Sequence, residues 1–424
     1  MSLKNRFLIG TLASLAATLT GFAAAPACDA DNGGITLPAG FCALVVADNL
    51  GTARHIAVNT NGDVYIALMD AGDKGGVMAM RDTNGDGRFE VKEHIGTGST
   101  TGVGIRNGYL YLAHPNTVER YKLTPGELKP AGAPEVVVAG LPGVRQHGDK
   151  GLTFDGKGKL YVNVGAPSNA CQEKDRTAKS PGQDPCPILE HNGGVWAFDE
   201  NKLGQKQEDG VHFATGLRQF PALTWGPDNA LYIVMNNRDQ LDVMWPGVFT
   251  ADENAIRPAE PMFRVATAGA NFGWPYCFFD YGLKKFVTMP EYGGDGKQSD
   301  KCGKFDQPVA YFPAHWAPVD VMFYTGSQFP AKYKGGAFIA FHGSWNRSPQ
   351  PQDGYNVTFQ PFEKGKPVAG KNEIFAIGFT GTDKLMNPND AKFRADGVAQ
   401  APDGSLYIAD SQKGRVWRVI YNGK

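Results

Sequence analysis

One short phrase recurs six times along the chain. A turn rich in Gly, Asn or Asp leads into a strand core of aliphatic, aromatic, aliphatic. The cores are Val64-Tyr65-Ile66, Leu110-Tyr111-Leu112, Leu160-Tyr161-Val162, Leu231-Tyr232-Ile233, Ala337-Phe338-Ile339 and Leu406-Tyr407-Ile408. Their turns are Asn61-Gly62, Asn107-Gly108, Gly156-Lys157-Gly158, Pro227-Asp228-Asn229, Gly335-Gly336 and Asp403-Gly404. Such turns tolerate positive φ and the flanks favour strands, so each phrase predicts a β-hairpin. Recurrence at roughly 45 to 110 residues predicts one blade per phrase, with loop insertions in the longer intervals. Six repeats imply an all-β protein, a six-bladed β-propeller of four-stranded antiparallel blades. Repetition lets residues 28–424 form a single domain despite their length. Phe41 to Ala47 is expected to join the blade ending in Val416 to Tyr421 and close the ring.

A net charge of -1 argues against a general nucleic-acid or anionic-membrane binder. Residues 1–27 read as a secretory signal. Lys4 and Arg6 form the basic region, Phe7 to Phe22 the apolar stretch, and Ala25-Pro26-Ala27 a small-residue cleavage site. The competing reading is a transmembrane anchor, which needs a longer apolar span. A periplasmic or secreted protein without stable membrane insertion follows. Six cysteines suit that oxidising compartment. Proximity pairs Cys28 with Cys42, Cys171 with Cys186, and Cys277 with Cys302. No CxxC or CxxCH occurs, so any electron acceptor is a separate molecule.

Propeller geometry converts sequence position into grouping. Segments entering the first strands carry Arg54 and His55, Thr100 and Thr101, His147, Arg218 and Gln219, His315, and Arg394 with Asp396. Loops after the second strands carry Asn169, Asn236-Asn237-Arg238-Asp239, and His342 to Arg347. All are expected at one mouth of the channel. Arginines and histidines dominate this set in a nearly neutral chain, which points to an anionic ligand.

These loops resemble those of the soluble pyrroloquinoline quinone (PQQ)-dependent sugar dehydrogenases, in particular the L-sorbosone dehydrogenase-like and aldose sugar dehydrogenase branch. The matching phrases include QHGDKGLTFDGKGKLYVNVG, GLRQFPALTWGPDNALYIV, NNRDQLD, GANFGWPYC, YKGGAFIAFHGSWNRSP and ADGVAQAPDGSLYIAD. They fall in order across nearly all of the expected mature chain. The resemblance implies a propeller binding PQQ and Ca2+ at the channel mouth, a sugar substrate, and an external acceptor such as a periplasmic cytochrome or quinone. It places His147 as general base, the role imidazole fills near neutral pH. Arg218, Gln219 and Arg394 fall where the family holds the cofactor, with Arg347 and His315 as further contacts. Asn237 and Arg238 fall where the family holds calcium, in part through main-chain carbonyls.

One departure stands out. The glucose-oxidising branch has an Asp where this chain has Ala166, so another group must orient His147. His191, in a His-Asn-Gly-Gly tetrapeptide, is rejected as the base because no second strand follows it in the expected place. Asp82 to Gly87 with Glu93 meets EF-hand spacing, but strand-like flanks favour a plain hairpin over a calcium loop. Trp274 reads as a buried corner aromatic rather than a sugar platform. Two alternatives remain on the same fold: a calcium-dependent lactonase-type hydrolase, and a non-catalytic glycan- or protein-binding propeller.

Overall fold

The computed structural model describes residues 26–368 and 370–423. The apolar stretch of the expected signal lies outside the described residues. Six four-stranded antiparallel blades surround one axis. Blade 1 runs Ala53–Val58, Val64–Leu68, Gly76–Arg81 and Val91–Ile95. Blade 2 runs Gly102–Arg106, Tyr109–Ala113, Thr117–Lys122 and Glu135–Ala139. Blade 3 runs Leu152–Phe154, Lys159–Val164, Gly194–Asp199 and Val211–Thr215, with Ala270–Asn271 added in parallel at its edge. Blade 4 runs Leu223–Trp225, Leu231–Val234, Glu260–Val265 and Ala310–Phe312. Blade 5 runs Pro318–Phe323, Ala337–His342, Tyr355–Gln360 and Glu373–Ala376. Blade 6 takes Ala395–Gln400, Leu406–Asp410 and Val416–Tyr421 from the C-terminal end, and Phe41–Ala47 completes it. The ring closes as expected, each first strand touching the first strand of the next blade.

All six repeated phrases are second strands. Their turns carry the positive φ they predict; Asn107 and Gly108 stand at 49° and 76°. The aromatic of the phrase is usually tyrosine for a reason visible in the packing. Its ring is buried, and in blades 1, 2 and 4 its hydroxyl crosses to the next blade or its loop. Tyr65 donates to the Leu128 carbonyl at 3.0 Å, and Tyr111 to that of Glu200 at 3.2 Å. A buried hydroxyl that finds a partner avoids the desolvation cost of an orphan. Apolar clusters fill each gap between neighbouring blades.

The three disulfides pair as proximity suggested. Cys171–Cys186 closes the loop after the second strand of blade 3, and Cys277–Cys302 closes the insertion between the last two strands of blade 4. A further apolar cluster, centred on the fully buried Trp274, lies beneath these two loops. The indole N–H donates to the Asn169 carbonyl at 3.0 Å, so this tryptophan is a corner aromatic. The Asp82 loop is a hairpin between strands, as its flanks predicted. Asp82 accepts from the Gly85 and Gly87 amides, and Glu93 lies in the fourth strand opposite Ala79. Among the described residues no helix is long and apolar enough to cross a membrane.

Candidate active site

A pocket of about 230 Å³ opens where the loops of blades 3, 4 and 5 meet. His147, Arg218, Gln219, Asn237 and His315, five of the residues the sequence singled out, line it. Each comes from a segment entering a first strand or leaving a second one.

His147 precedes the first strand of blade 3 and lies in the left-handed region, φ 57°. Its Nδ1–H donates to the Ala166 carbonyl at 2.6 Å, which leaves Nε2 as the unprotonated nitrogen. Among the described residues no protein group bonds Nε2. The carboxylate missing at position 166 is thus replaced by that residue's own main-chain oxygen. Burial, reinforced by the Arg218 charge, pulls the His147 pKa down to about 3, so the ring is neutral. The Ala166 amide donates in turn to the Arg218 carbonyl at 2.8 Å, joining the two segments.

Arg218 is buried. Its guanidinium donates to the Asn237 carbonyl at 2.8 Å and the Asp239 carboxylate at 2.6 Å, leaving Nε without a partner among the described residues. Asp239 also accepts from Asn346 at 3.0 Å, and Arg176 lies 3.5 Å away. Burial works against the Asp239 charge, but Arg218, His315 and Arg176 hold its pKa down to about 2. Glu260 behaves oppositely. Burial, with the Asp239 charge adding to it, pushes its pKa up to about 8 despite a 2.7 Å bond from the Asn237 amide. Two carboxyl groups in one pocket therefore hold different protonation states. The Gln219 Oε1 and Asn346 Oδ1 atoms are buried without partners among the described residues.

Other expected residues sit elsewhere. Arg394 donates to the His342 and Gly343 carbonyls at 2.9 and 2.8 Å, and its guanidinium lies 5.2 Å from the Tyr355 ring centre. Arg347 pairs with Asp353 at 3.2 Å. Neither lines the pocket. The Arg238 side chain turns inward to Glu291 and has no exposure, so only its main chain borders the site residues. His191 is exposed beside Glu190 and does not line the pocket. Sequence reasoning missed Gln146, Arg176 and Glu260 as lining residues. Only Glu260 carried a signal, a lone acid opening the strand EPMFRV.

Gly165 is required by crowding. A Cβ there would lie 2.3 Å from the His147 carbonyl oxygen, 2.7 Å from its Cβ and 2.9 Å from Gln219 Oε1. Gly165→Ala is expected to cost about 1–3 kcal/mol by overpacking, read by urea denaturation. Unchanged stability would mean that His147 and Gln219 move aside freely.

The model of the TrAA12-like family matches residues 35–422. A pyrroloquinoline quinone-dependent pyranose dehydrogenase of Coprinopsis cinerea is 25% identical over 282 residues, which are 57% of this chain and 36% of that protein. The matches span less than two thirds of the first curated relatives' own length. Among solved structures, the holo PQQ domain of the Coprinopsis cinerea pyranose dehydrogenase superposes with TM-score 0.71 at 17% identity, covering 91% of this chain and 97% of that one. A calcium structure of the Trichoderma reesei family AA12 protein gives TM-score 0.74 at 19% identity, covering 92% and 97%. At these identities the structures speak for the propeller alone.

Proposed function

Because the chain belongs to the TrAA12-like family, we propose that it is an exported, PQQ- and calcium-dependent dehydrogenase. It oxidises an aldose or aldehyde sugar and passes electrons to an external acceptor such as a periplasmic cytochrome or quinone. The observation that carries this reading is His147, held neutral with Nδ1 locked on a main-chain carbonyl and Nε2 unpartnered in an arginine-bearing pocket.

The donor set suits the cofactor. PQQ is a tricarboxylate, and Arg218 presents a buried, unpartnered Nε beside a second guanidinium, that of Arg176. Calcium seeks several oxygens. Glu260, the unpartnered Gln219 Oε1 and the main-chain carbonyls at Asn237 and Arg238 would supply them. When bound, PQQ with its calcium supplies a two-electron acceptor. Nε2 of His147 takes the proton of the sugar hydroxyl, or of the hydrate when the substrate is an aldehyde. The Ala166 carbonyl and the Asp239 charge then stabilise the imidazolium. Trp345, half exposed at the rim, offers a ring face to a sugar.

The hydrolase alternative wants a metal held by free carboxylates. Asp239 is already engaged by Arg218 and Asn346, which leaves Glu260 alone. The deciding experiment loads the apo-protein with PQQ and calcium and follows dye-linked oxidation across an aldose panel. Stoichiometric retention with turnover supports the dehydrogenase. Lactone hydrolysis with calcium alone, and no quinone retention, overturns it.

A further inference from the structure

A non-glycine residue holds the left-handed conformation of His147 only where its surroundings compel it. The Ala166 carbonyl fixes the ring, but the peptide before it needs its own restraint, and Gln146 provides one. Its Oε1 accepts from Arg176 Nε at 3.0 Å, while its Nε2 donates to Asp175 Oδ2 at 3.0 Å. Arginine only donates and an ionised carboxylate only accepts, so the amide has one permitted orientation.

The two residues gripping Gln146 are themselves fixed. Asp175 Oδ1 accepts from Ser168 Oγ at 2.6 Å and from the Asn169 amide at 3.1 Å. Arg176 donates from Nη1 to Gln240 at 2.8 Å. Both lie inside the loop closed by Cys171–Cys186, and the Cys171 amide donates to Ser168 Oγ at 2.9 Å. A chain of direct bonds therefore runs from the disulfide to the residue preceding His147.

We propose that Gln146, Asp175 and Arg176 are positioning residues for His147, and that the Cys171–Cys186 loop exists to hold them. The loop does mechanically what a side-chain carboxylate on the imidazole would do elsewhere. The inference rests on the reading of His147 as the base, but it concerns the ring's orientation and can be tested without turnover.

The test follows the His147 ring by nitrogen-edited NMR in the apo-protein, assigned by difference from a His147→Gln spectrum. The wild-type ring is expected to stay in the Nδ1–H tautomer and to remain neutral near neutral pH. Asp175→Asn keeps the size but sets an amide N–H2 against that of Gln146, or an oxygen in place of a charged acceptor. It is expected to release the ring, populate the second tautomer and bring its titration up toward the ordinary histidine value of about 6.5. In the loaded enzyme, kcat is expected to fall by about 10- to 100-fold with KM unchanged. Gln146→Ala should behave alike, as should the double variant Cys171→Ser with Cys186→Ser. Wild-type tautomer and titration in folded Asp175→Asn and Gln146→Ala would overturn the proposal. Absence of wild-type turnover would count against the dehydrogenase reading while the NMR result still decides this one.

Discussion

His147→Ala is expected to lower turnover by about 10²- to 10⁴-fold, the range a positioned general base contributes, while leaving quinone retention intact. The separation follows from geometry. The imidazole donates Nδ1–H to the Ala166 carbonyl and is not bonded to Arg218 or Gln219, so its removal leaves those groups where they are. Dye-linked turnover and bound-quinone absorbance read the two effects on one sample. Loss of both together would make His147 a structural prop. The same residue carries a pH signature. Its folded pKa is held at about 3 by burial, with Arg218 adding, whereas an unfolded histidine titrates near about 6.5. The unfolded chain thus binds the extra proton first. The neutral ring's contribution to stability is fully present above about pH 6.5 and is lost as pH falls toward about 3, at about 1.4 kcal/mol per pH unit. Urea unfolding of wild type and His147→Ala across that window should converge as the pH is lowered. Parallel curves would place the native pKa near its ordinary value.

The fold was legible because its determinants are local and repeated. Each hairpin phrase specifies its own turn and strand, and closure by Phe41–Ala47 supplies the missing fourth strand of blade 6. His147, Arg218, Gln219, Asn237 and His315 were legible for a related reason: they sit three to five residues from strands whose ends the ring brings together. Arg394 and Arg347 come from equivalent loops, yet their guanidiniums are turned onto main-chain carbonyls and Asp353. Loop position fixes a Cα and not the direction of a long side chain. Arg176 was hidden because its place depends on how a disulfide-closed insertion folds back over the neighbouring blade. The partner of His147 was hidden more deeply. Reading side chains alone finds Ala166 an empty position, although its carbonyl is the group that orients the His147 ring.

Arg238→Ala is expected to destabilise the protein by about 3–5 kcal/mol, the cost of stranding one half of a buried ion pair. Arg238 and Glu291 have no exposed side-chain surface, and Nη1 lies 2.5 Å from the carboxylate. Among the described residues, Arg238 Nε and Nη2 and Glu291 Oε1 have no further partners. A pair this dry and incompletely bonded recovers its desolvation cost poorly, so replacing both members differs in kind from replacing one. Arg238→Met with Glu291→Leu is expected to regain most of the lost stability, since apolar residues of similar volume remove the charge from the interior. Thermal and urea unfolding of the two single variants and the double variant gives the coupling directly. Additive losses would mean that water reaches the pair. The double variant also separates the two roles of position 238. A metal contact made by the main-chain carbonyl survives loss of the guanidinium, so calcium-dependent quinone retention should persist in the stable double variant. Its loss there, with the fold intact, would move the calcium ligands away from this loop and toward Glu260 and Gln219.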